Sequence, residues 1–520
     1  MLDLAITGAF LVDGTGMPGS LGSVGVRGDR VAWIGHGTAA PPEATRTIDA
    51  AGRVLAPGFI DVHTHSDLGP LVDPWMPSTL RQGVTSVVVG NCGSSPWPPA
   101  GADECAALVG GPAGAFRYDS FGAYLDALDA TEPAVNLAAL VGHGAVRLEV
   151  MGLERRPPDD DELAAMRRLV AEAVEGGAIG LSTGLIYVPG VYSTTDEVVA
   201  LAEEVARRHG IYASHIRGEG EHLFRAVDEA ISVGRRARLP AHVSHLKCES
   251  GLVWGRASDL LARLHGGADV TGDQYPYAAW ASVLWSLLPD WAPVGELPEL
   301  IADPTTRGRL TAAVEQGEGD AFQSSVNGVG WERIVIESGG DGRWNGMSVT
   351  EVGETLGMAP VDACFRLLVD DPETACIGHA MHDDDVRTIL ADPTVMVASD
   401  GASMSPEGPL GAAAVHPRNY GTFPRVLGHY VREGTLSIEA AVRKMTSLPA
   451  DRFGLRHRGR VVEGAFADLV VFDPLSVEDR GTFAAPHEYP EGIDLVVVNG
   501  RVAWDGAPGE RAGRVLRRGD

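Results

Sequence analysis

Arg53-Val54-Leu55-Ala56-Pro57-Gly58-Phe59-Ile60-Asp61-Val62-His63-Thr64-His65-Ser66-Asp67 is the stretch whose reading decides the fold. Within it, Phe59-Ile60-Asp61-Val62 is a short apolar run of the kind that forms a buried strand. His63 and His65 follow at once. In extended backbone, residues i and i+2 point to the same side. The two imidazoles can therefore be aimed at one point, as a pair of metal ligands must be. Taken alone, an H-x-H is more often two polar loop residues. The rest of the chain repeats the pattern of apolar strand followed by ligand-type residue, and the repetition changes the reading.

Between about 57 and 430 the apolar runs predict eight strands, at 58–62, 85–89, 135–141, 178–181, 211–214, 241–244, 268–272 and 395–399. Helical stretches separate them. Residues 161–174 place Leu163, Met166, Leu169, Val170, Ala173 and Val174 on one face and stop at Gly176-Gly177. Residues 196–208 follow Thr194, which with Glu197 makes a capping-box pattern. Eight strands alternating with helices is the count for a (β/α)8 TIM barrel. The gap before the eighth strand is too long for one helix and predicts an inserted subdomain over the barrel mouth at about 280–345. Trp280, Trp285, Trp291, Trp331 and Trp344 fall in it and serve either to pack the insertion or to line a pocket. Residues 1–56 read as short strands with Gly-rich turns, and 431–520 as a helix and further strands. Neither end suffices for a stable sheet, so the two together predict a small β-sandwich. The expected fold class is thus α/β, a distorted barrel flanked by a domain built from both termini.

The bulk numbers narrow the function. The 520 residues carry a formal net charge of −28, with 42 basic against 70 acidic side chains, which argues against nucleic acid or an anionic membrane as partner. There is no apolar run of membrane-spanning length and no basic region followed by an apolar one. Five scattered cysteines (Cys92, Cys105, Cys248, Cys364, Cys376) do not suggest a disulfide framework and fit a reducing cytoplasm. A small-molecule substrate is the expected partner, and a homo-oligomer is compatible with the composition. Of the basic residues only Lys247 and Lys444 are lysines; the other 40 are arginines.

Polar residues at the C-terminal ends of barrel strands form the active site of such folds. The first strand delivers His63 and His65, the second Gly90-Asn91-Cys92-Gly93, the third Gly142-His143-Gly144, the fifth His215, the sixth His245 with Leu246-Lys247, the seventh Asp273-Gln274-Tyr275-Pro276-Tyr277 and the eighth Asp400-Gly401. Imidazole, thiolate and carboxylate together suit a borderline-soft divalent ion, zinc above all. His63, His65, Cys92, His215, His245 and Asp400 are more ligands than one tetrahedral ion needs, which predicts either a binuclear site or one tight zinc with a second, weaker ion. A bound ion brings the pKa of its water to ~7, and Asp400 is then the natural general base. Lys247, two residues beyond His245, can share that ligand's side of the chain.

These residues resemble the amidohydrolase superfamily, in which a first-strand H-x-H, single histidines on strands five and six and an eighth-strand aspartate surround one or two metals. Many members bridge two metals with a carboxylated lysine on strand four. Here strand four ends Leu181-Ser182-Thr183-Gly184 and has no lysine, while Cys92 is placed to substitute. That exchange is similar to the N-acyl-D-amino-acid deacylase (D-aminoacylase) family. The likeness also runs through Ser214-His215-Ile216-Arg217, Ser244-His245-Leu246-Lys247, Tyr275-Pro276-Tyr277, Ser399-Asp400-Gly401 and Tyr420–Gly428. It implies zinc-dependent hydrolysis of the N-acyl amide of a D-amino acid by metal-activated water. Cys92, His215 and His245 would hold the tight zinc, and His63, His65 and Asp400 the weaker position. Asp400 would shuttle the proton. Lys247 and Tyr277 would grip the substrate α-carboxylate, with Ser282 a further candidate for the same pocket; His143 would either hold substrate or stand behind the ligands, a choice its Gly-His-Gly context leaves open. Gly218 departs from the family pattern, which carries an acidic residue there. Two rivals remain open: a cyclic-amide hydrolase of the hydantoinase or dihydroorotase kind, and an inactive scaffold on the same fold. Side-chain preference stays open: the tryptophan-rich insertion points to a partly apolar pocket, and an arginine there, such as Arg333 or Arg343, would equally select an acidic side chain.

Overall fold

The computed structural model describes residues 1–319, 322–411 and 415–519; Asp320 and Ala321 of the expected insertion lie outside the described residues. All eight predicted barrel strands form. They are β1 (Phe59–Asp61), β2 (Val84–Val89), β3 (Asn136–Gly142), β4 (Gly180–Gly184), β5 (Ile211–His215), β6 (Ala241–Val243), β7 (Val270–Gln274) and β8 (Val395–Val397). Each pairs in parallel with the next in sequence, from β1 to β8. Their near-continuous burial is what strands covered on both faces require. The ring closes just beyond the strands. Thr64 bridges Gly401 in parallel, the Asp400 amide donates to the His63 carbonyl at 2.8 Å, and the His65 amide donates to the Gly401 carbonyl at 2.7 Å. The carboxylate of Asp61 fastens the same seam from below, accepting from the amides of His63 (3.2 Å) and Ser399 (3.0 Å) and from the Ser399 hydroxyl (2.5 Å).

The two termini build the expected small domain together, its strands joined in one eight-stranded pairing path. Its shape is set in part by the ten-residue strand Leu2–Leu11. Its pairing register shifts between Ile6 and Ala9, where Gly8 sits at φ 64°. A bulge of this kind bends a strand. Its first half pairs in parallel with Ala44–Asp49 and its end with Val54–Pro57. Val54–Pro57 pairs antiparallel with the C-terminal strand Leu469–Phe472 and leads directly into β1. Leu55, Leu469, Val471, Leu495 and Val497 join Leu4, Ile6, Val24 and Val26 in a separate apolar core, while Val54, Ala56, Val470 and Phe472 pack on the barrel.

The insertion reaches farther than 280–345. Its antiparallel sheet runs Trp280–Val283, Ala375–Gly378, Ile334–Ser338, so a strand beyond residue 345 occupies the centre. The helices Val349–Leu356 and Pro360–Asp370 belong to it. Their amphipathic pattern is the same as that of barrel helices, which hid the boundary. Trp280 and Trp331 are buried, and Trp285, Trp291 and Trp344 pack against the core, so the indoles fill the insertion.

The capping box expected at Thr194 is half present. Thr194 accepts from the Glu197 amide at 3.2 Å, but the Glu197 carboxylate turns inward. It receives Arg147 at 2.6 Å and faces His143 Nε2 at 2.9 Å, all three fully buried. Burial pushes this carboxyl up, yet the His143 hydrogen bond and the charges of His143 and Arg147 outweigh it and leave Glu197 below the ordinary 4.5. A depressed carboxylate stabilises the fold above its unfolded-state pKa, and that contribution disappears as the pH falls through the lower folded value. Glu197→Ala would strand the buried Arg147 guanidinium and is expected to cost about 3–5 kcal/mol in denaturant unfolding at pH 7. The loss should shrink below pH 4. Zinc content should stay that of the unaltered protein.

Candidate metal centre

The strand ends deliver most of the expected ligands to one point. Cys92 Sγ lies 3.3 Å from His63 Nε2, 3.6 Å from His215 Nδ1 and 3.7 Å from His245 Nε2. Asp400 Oδ1 lies 3.3 Å from both His63 Nε2 and His65 Nε2. His63, Cys92, His245 and Asp400 offer ligand atoms that all fall within 4.8 Å of one another. His215, His245 and Glu219 do the same. Cys92 is the hub, touching histidines expected at both the tight and the weak position.

The backbone is bent to achieve this. Cys92, His245 and Asp400 all have positive φ, at 53°, 36° and 49°. Non-glycine residues rarely adopt this region, and such outliers cluster at functional sites. The turn bearing Cys92 is fixed by Ser182, which accepts from the Gly93 amide (3.0 Å) and donates to the Gly90 carbonyl (2.5 Å). Gly90 has to be glycine: at φ 79°, a Cβ would sit 2.0 Å from the Leu140 carbonyl oxygen.

The electrostatics of the cluster call for positive charge. Burial pushes the Cys92 thiol up, but the neighbouring His63, His215 and His245 hold it well below the ordinary value. Burial likewise opposes ionisation of Asp400, yet Arg418, His245 and His65 hold it well below the carboxylate range. In return, and against their burial, His65 is pushed up to about 10 by Asp400 and Cys92, and His63 is raised by Cys92 and Asp273. A thiolate and a carboxylate thus retain protons on imidazoles that would be ligands. A divalent cation satisfies the same anions and releases those protons. Zinc addition to metal-free protein in weak buffer at pH 7 is therefore expected to release more than one proton per zinc, read with a pH indicator. Uptake without release would contradict this charge balance.

Two surrounding residues, Glu219 and Arg418, carry no signal as partners in the sequence, where a third, Asp273, shows only as a strand end. Glu219 receives Lys247 Nζ at 2.7 Å and lies 3.0 Å from His245 Nδ1 and 3.7 Å from His215 Nε2. It stands next to Gly218 and supplies the acidic group one position later. Lys247 Nζ is also 2.8 Å from His245 Nδ1. A neutral His245 that coordinates through Nε2 keeps its proton on Nδ1 and donates to Glu219. Arg418 donates to Asp400 Oδ2 at 2.8 Å. Asp273 lies under the cluster, 3.6 Å from His63 Nδ1.

The expected substrate groups divide. Lys247 adjoins the cluster, and Ser282 lies beside Tyr187, whose ring packs on His215 at 4.8 Å. Tyr277 instead directs its hydroxyl to Asp479 at 3.5 Å. His143 is engaged with Glu197, as above. Among the described residues, no hydrogen bond or ion pair joins either to the cluster. Tyr275 faces inward: its ring lies 5.6 Å from Lys247 Nζ and 4.8 Å from the Arg418 guanidinium. Arg333 donates to the His379 carbonyl and Arg343 stacks on Trp344.

A strand-end cluster of His, Cys and Asp on a closed parallel barrel defines a metal-dependent hydrolase. The amidohydrolase family model matches residues 46–503, and the chain belongs to that family. Within it, the chain is 40% identical to the N-acyl-D-glutamate deacylase of Alcaligenes xylosoxydans xylosoxydans, over 99% of this chain and 97% of the relative. It is 39% identical to that organism's D-aminoacylase, over 99% and 98%. A solved D-aminoacylase, described as having a binuclear metal centre with one-metal activation and second-metal attenuation, superposes with a TM-score of 0.83 at 37% identity, covering 99% of this chain and all of its own. The N-acyl-D-glutamate deacylase of Bordetella bronchiseptica, solved with zinc and a phosphonate mimic of the tetrahedral intermediate, gives 0.82 at 36% identity, covering 99% of each chain.

Proposed function

We propose that the chain is a zinc-dependent deacylase that hydrolyses the N-acyl amide of D-amino acids to a carboxylate and the free D-amino acid. The observation that carries this is the Cys92-centred cluster with an ionised Asp400 at its edge, in a chain alike along its whole length to D-amino-acid deacylases. The D configuration rests on those relatives.

Cys92, His215 and His245 are the ligands we assign to the tight zinc, with His63, His65 and Asp400 toward a second position. Zinc held there supplies a Lewis acid at the acyl carbonyl and a lowered pKa for the attacking water. Asp400 takes the proton of that water and hands it to the leaving nitrogen, so one water is consumed and no net proton is gained. Arg418 keeps the Asp400 carboxylate ionised between turnovers. Lys247 retains donors beyond its bond to Glu219, and Arg418 Nε and the Tyr275 hydroxyl are buried without a partner. These donors suit a substrate carboxylate, and we place the α-carboxylate among them. The catalytic unit would be residues 57–430, with the terminal sheet as its support.

The hydantoinase reading is weaker, because β4 carries no lysine and the likeness to L-hydantoinase, at 15% identity and a TM-score of 0.57, extends to the fold alone. The scaffold reading is weaker because no expected ligand is missing. The five cysteines are buried and unpaired, which supports a reducing, cytoplasmic setting, and among the described residues no helix is long and apolar enough to cross a membrane. The test is turnover by zinc-loaded protein on N-acetyl-D- and N-acetyl-L-amino acids beside hydantoin and dihydrouracil. Release of D-amino acids is expected. Opening of the cyclic amides alone would establish the first rival, and less than about half an equivalent of zinc after gentle purification would favour the second.

A further inference from the structure

We propose that His242 and Asp273, two buried residues inside the barrel that are not themselves in the ligand cluster, form a positioning pair that sets the zinc affinity of the site. The inference rests on the zinc reading above and concerns how the ligands are held.

One carboxylate reaches two ligands. Asp273, at the end of β7, accepts the backbone amide of His245 on Oδ1 at 2.7 Å. This is the residue bent to φ 36°, so Asp273 pins the turn that aims His245. Its other oxygen, Oδ2, lies 2.7 Å from His242 Nε2 and 3.6 Å from His63 Nδ1. His63 Nδ1 is buried and has no hydrogen-bond partner, because 3.6 Å is too long for one. Asp273 is the carboxylate that faces it.

His242 Nδ1 lies 2.8 Å from the Thr271 hydroxyl. A hydroxyl can donate or accept, but a carboxylate only accepts. His242 therefore carries its proton on Nε2, toward Asp273, and takes the Thr271 hydroxyl proton on Nδ1. Asp273 Oδ2 is then oriented with a lone pair toward His63, which favours the His63 tautomer protonated on Nδ1. That leaves the His63 Nε2 lone pair facing Cys92 and Asp400, where a metal ligand needs it. Partners of this kind fix ligand tautomer and ring orientation, and their loss typically costs about 10–100-fold in metal affinity. His242 packs against Phe453 at 5.1 Å and its ring is buried, so it does this from within the barrel without access to solvent.

Zinc dissociation constants, measured on full-length protein by competition with a chromophoric chelator, test the assignment, alongside thermal unfolding of the metal-free variants. Asp273→Asn should weaken zinc about 10–100-fold, since its amide turns a donor toward two other donors. His242→Leu should weaken it by about tenfold or more, whereas His242→Gln, which keeps an N–H for Asp273, should stay within about threefold of the unaltered protein. Variants that lose thermal stability yet bind zinc normally would overturn the proposal and make the pair ordinary core. Equal losses for His242→Gln and His242→Leu would also overturn it. Should Asp273→Asn fail to fold, the two His242 variants decide the matter alone. Failure of the unaltered protein to bind zinc would remove the metal reading itself, a distinct outcome.

Discussion

Cys92→Ala is expected to abolish both the bound zinc and the hydrolase activity. Sγ lies within 3.7 Å of nitrogens of His63, His215 and His245 together. Without it the one anion shared by these three imidazoles is gone, and Asp400 and Glu219 at the edges of the cluster do not take its place, so the electrostatic reason for a cation to sit between them is largely removed. Zinc content should fall from about one equivalent to below ~0.1, read by elemental analysis, and turnover should fall with it. Folding should survive, because Cys92 lies on a loop pinned by Ser182 rather than on a strand. Retained zinc would remove Cys92 from the ligand set. Cys92→Asp restores an anion at nearly the same place and should recover part of the metal content.

Asp400→Asn should separate the two functions of that residue. The amide can still face His63 and His65, and the tight zinc does not depend on it, so metal content should change little. It cannot accept the proton of the attacking water, so kcat should fall by about 10²–10⁴-fold, the usual range for loss of a general acid–base group. The acid limb of the pH–rate profile should vanish with it. Near-normal turnover would rule out the proton-shuttle role. Loss of zinc as well would show that Asp400 is needed to hold the tight ion.

Much of this site is visible in the sequence, and the reason is local. His63, His65, Cys92, His215, His245 and Asp400 each stand at the end of an apolar run, so strand and ligand are read together. What the sequence concealed are the partners. Glu219 meets Lys247 28 positions away, Arg418 meets Asp400 18 positions away, and Asp273, legible only as a strand end, meets His63 across the barrel, so these pairings form only as the barrel closes. Asp61 gives a faint signal, as a carboxylate inside an otherwise apolar strand. The capping pattern at Thr194 misled in part because a buried Arg147 is a stronger claimant for Glu197 than a free amide at a helix end. The terminal domain is legible in its strands and in its being built from both ends, whereas the register shifts that shape it, the one at Gly8 among them, leave no mark in the sequence pattern. Tyr275 and Tyr277 are equivalent in sequence, and only the tertiary position of Asp479 decides which of them turns away.

The hydrogen bonds that complete the barrel between β1 and β8 are made by the same peptide units that carry His63, His65 and Asp400. The cylinder is therefore zipped shut at its catalytic rim. Slow amide exchange at Asp400 and His65 should accompany metal loading, and a substitution that slackens this junction will leak zinc well before the molecule melts.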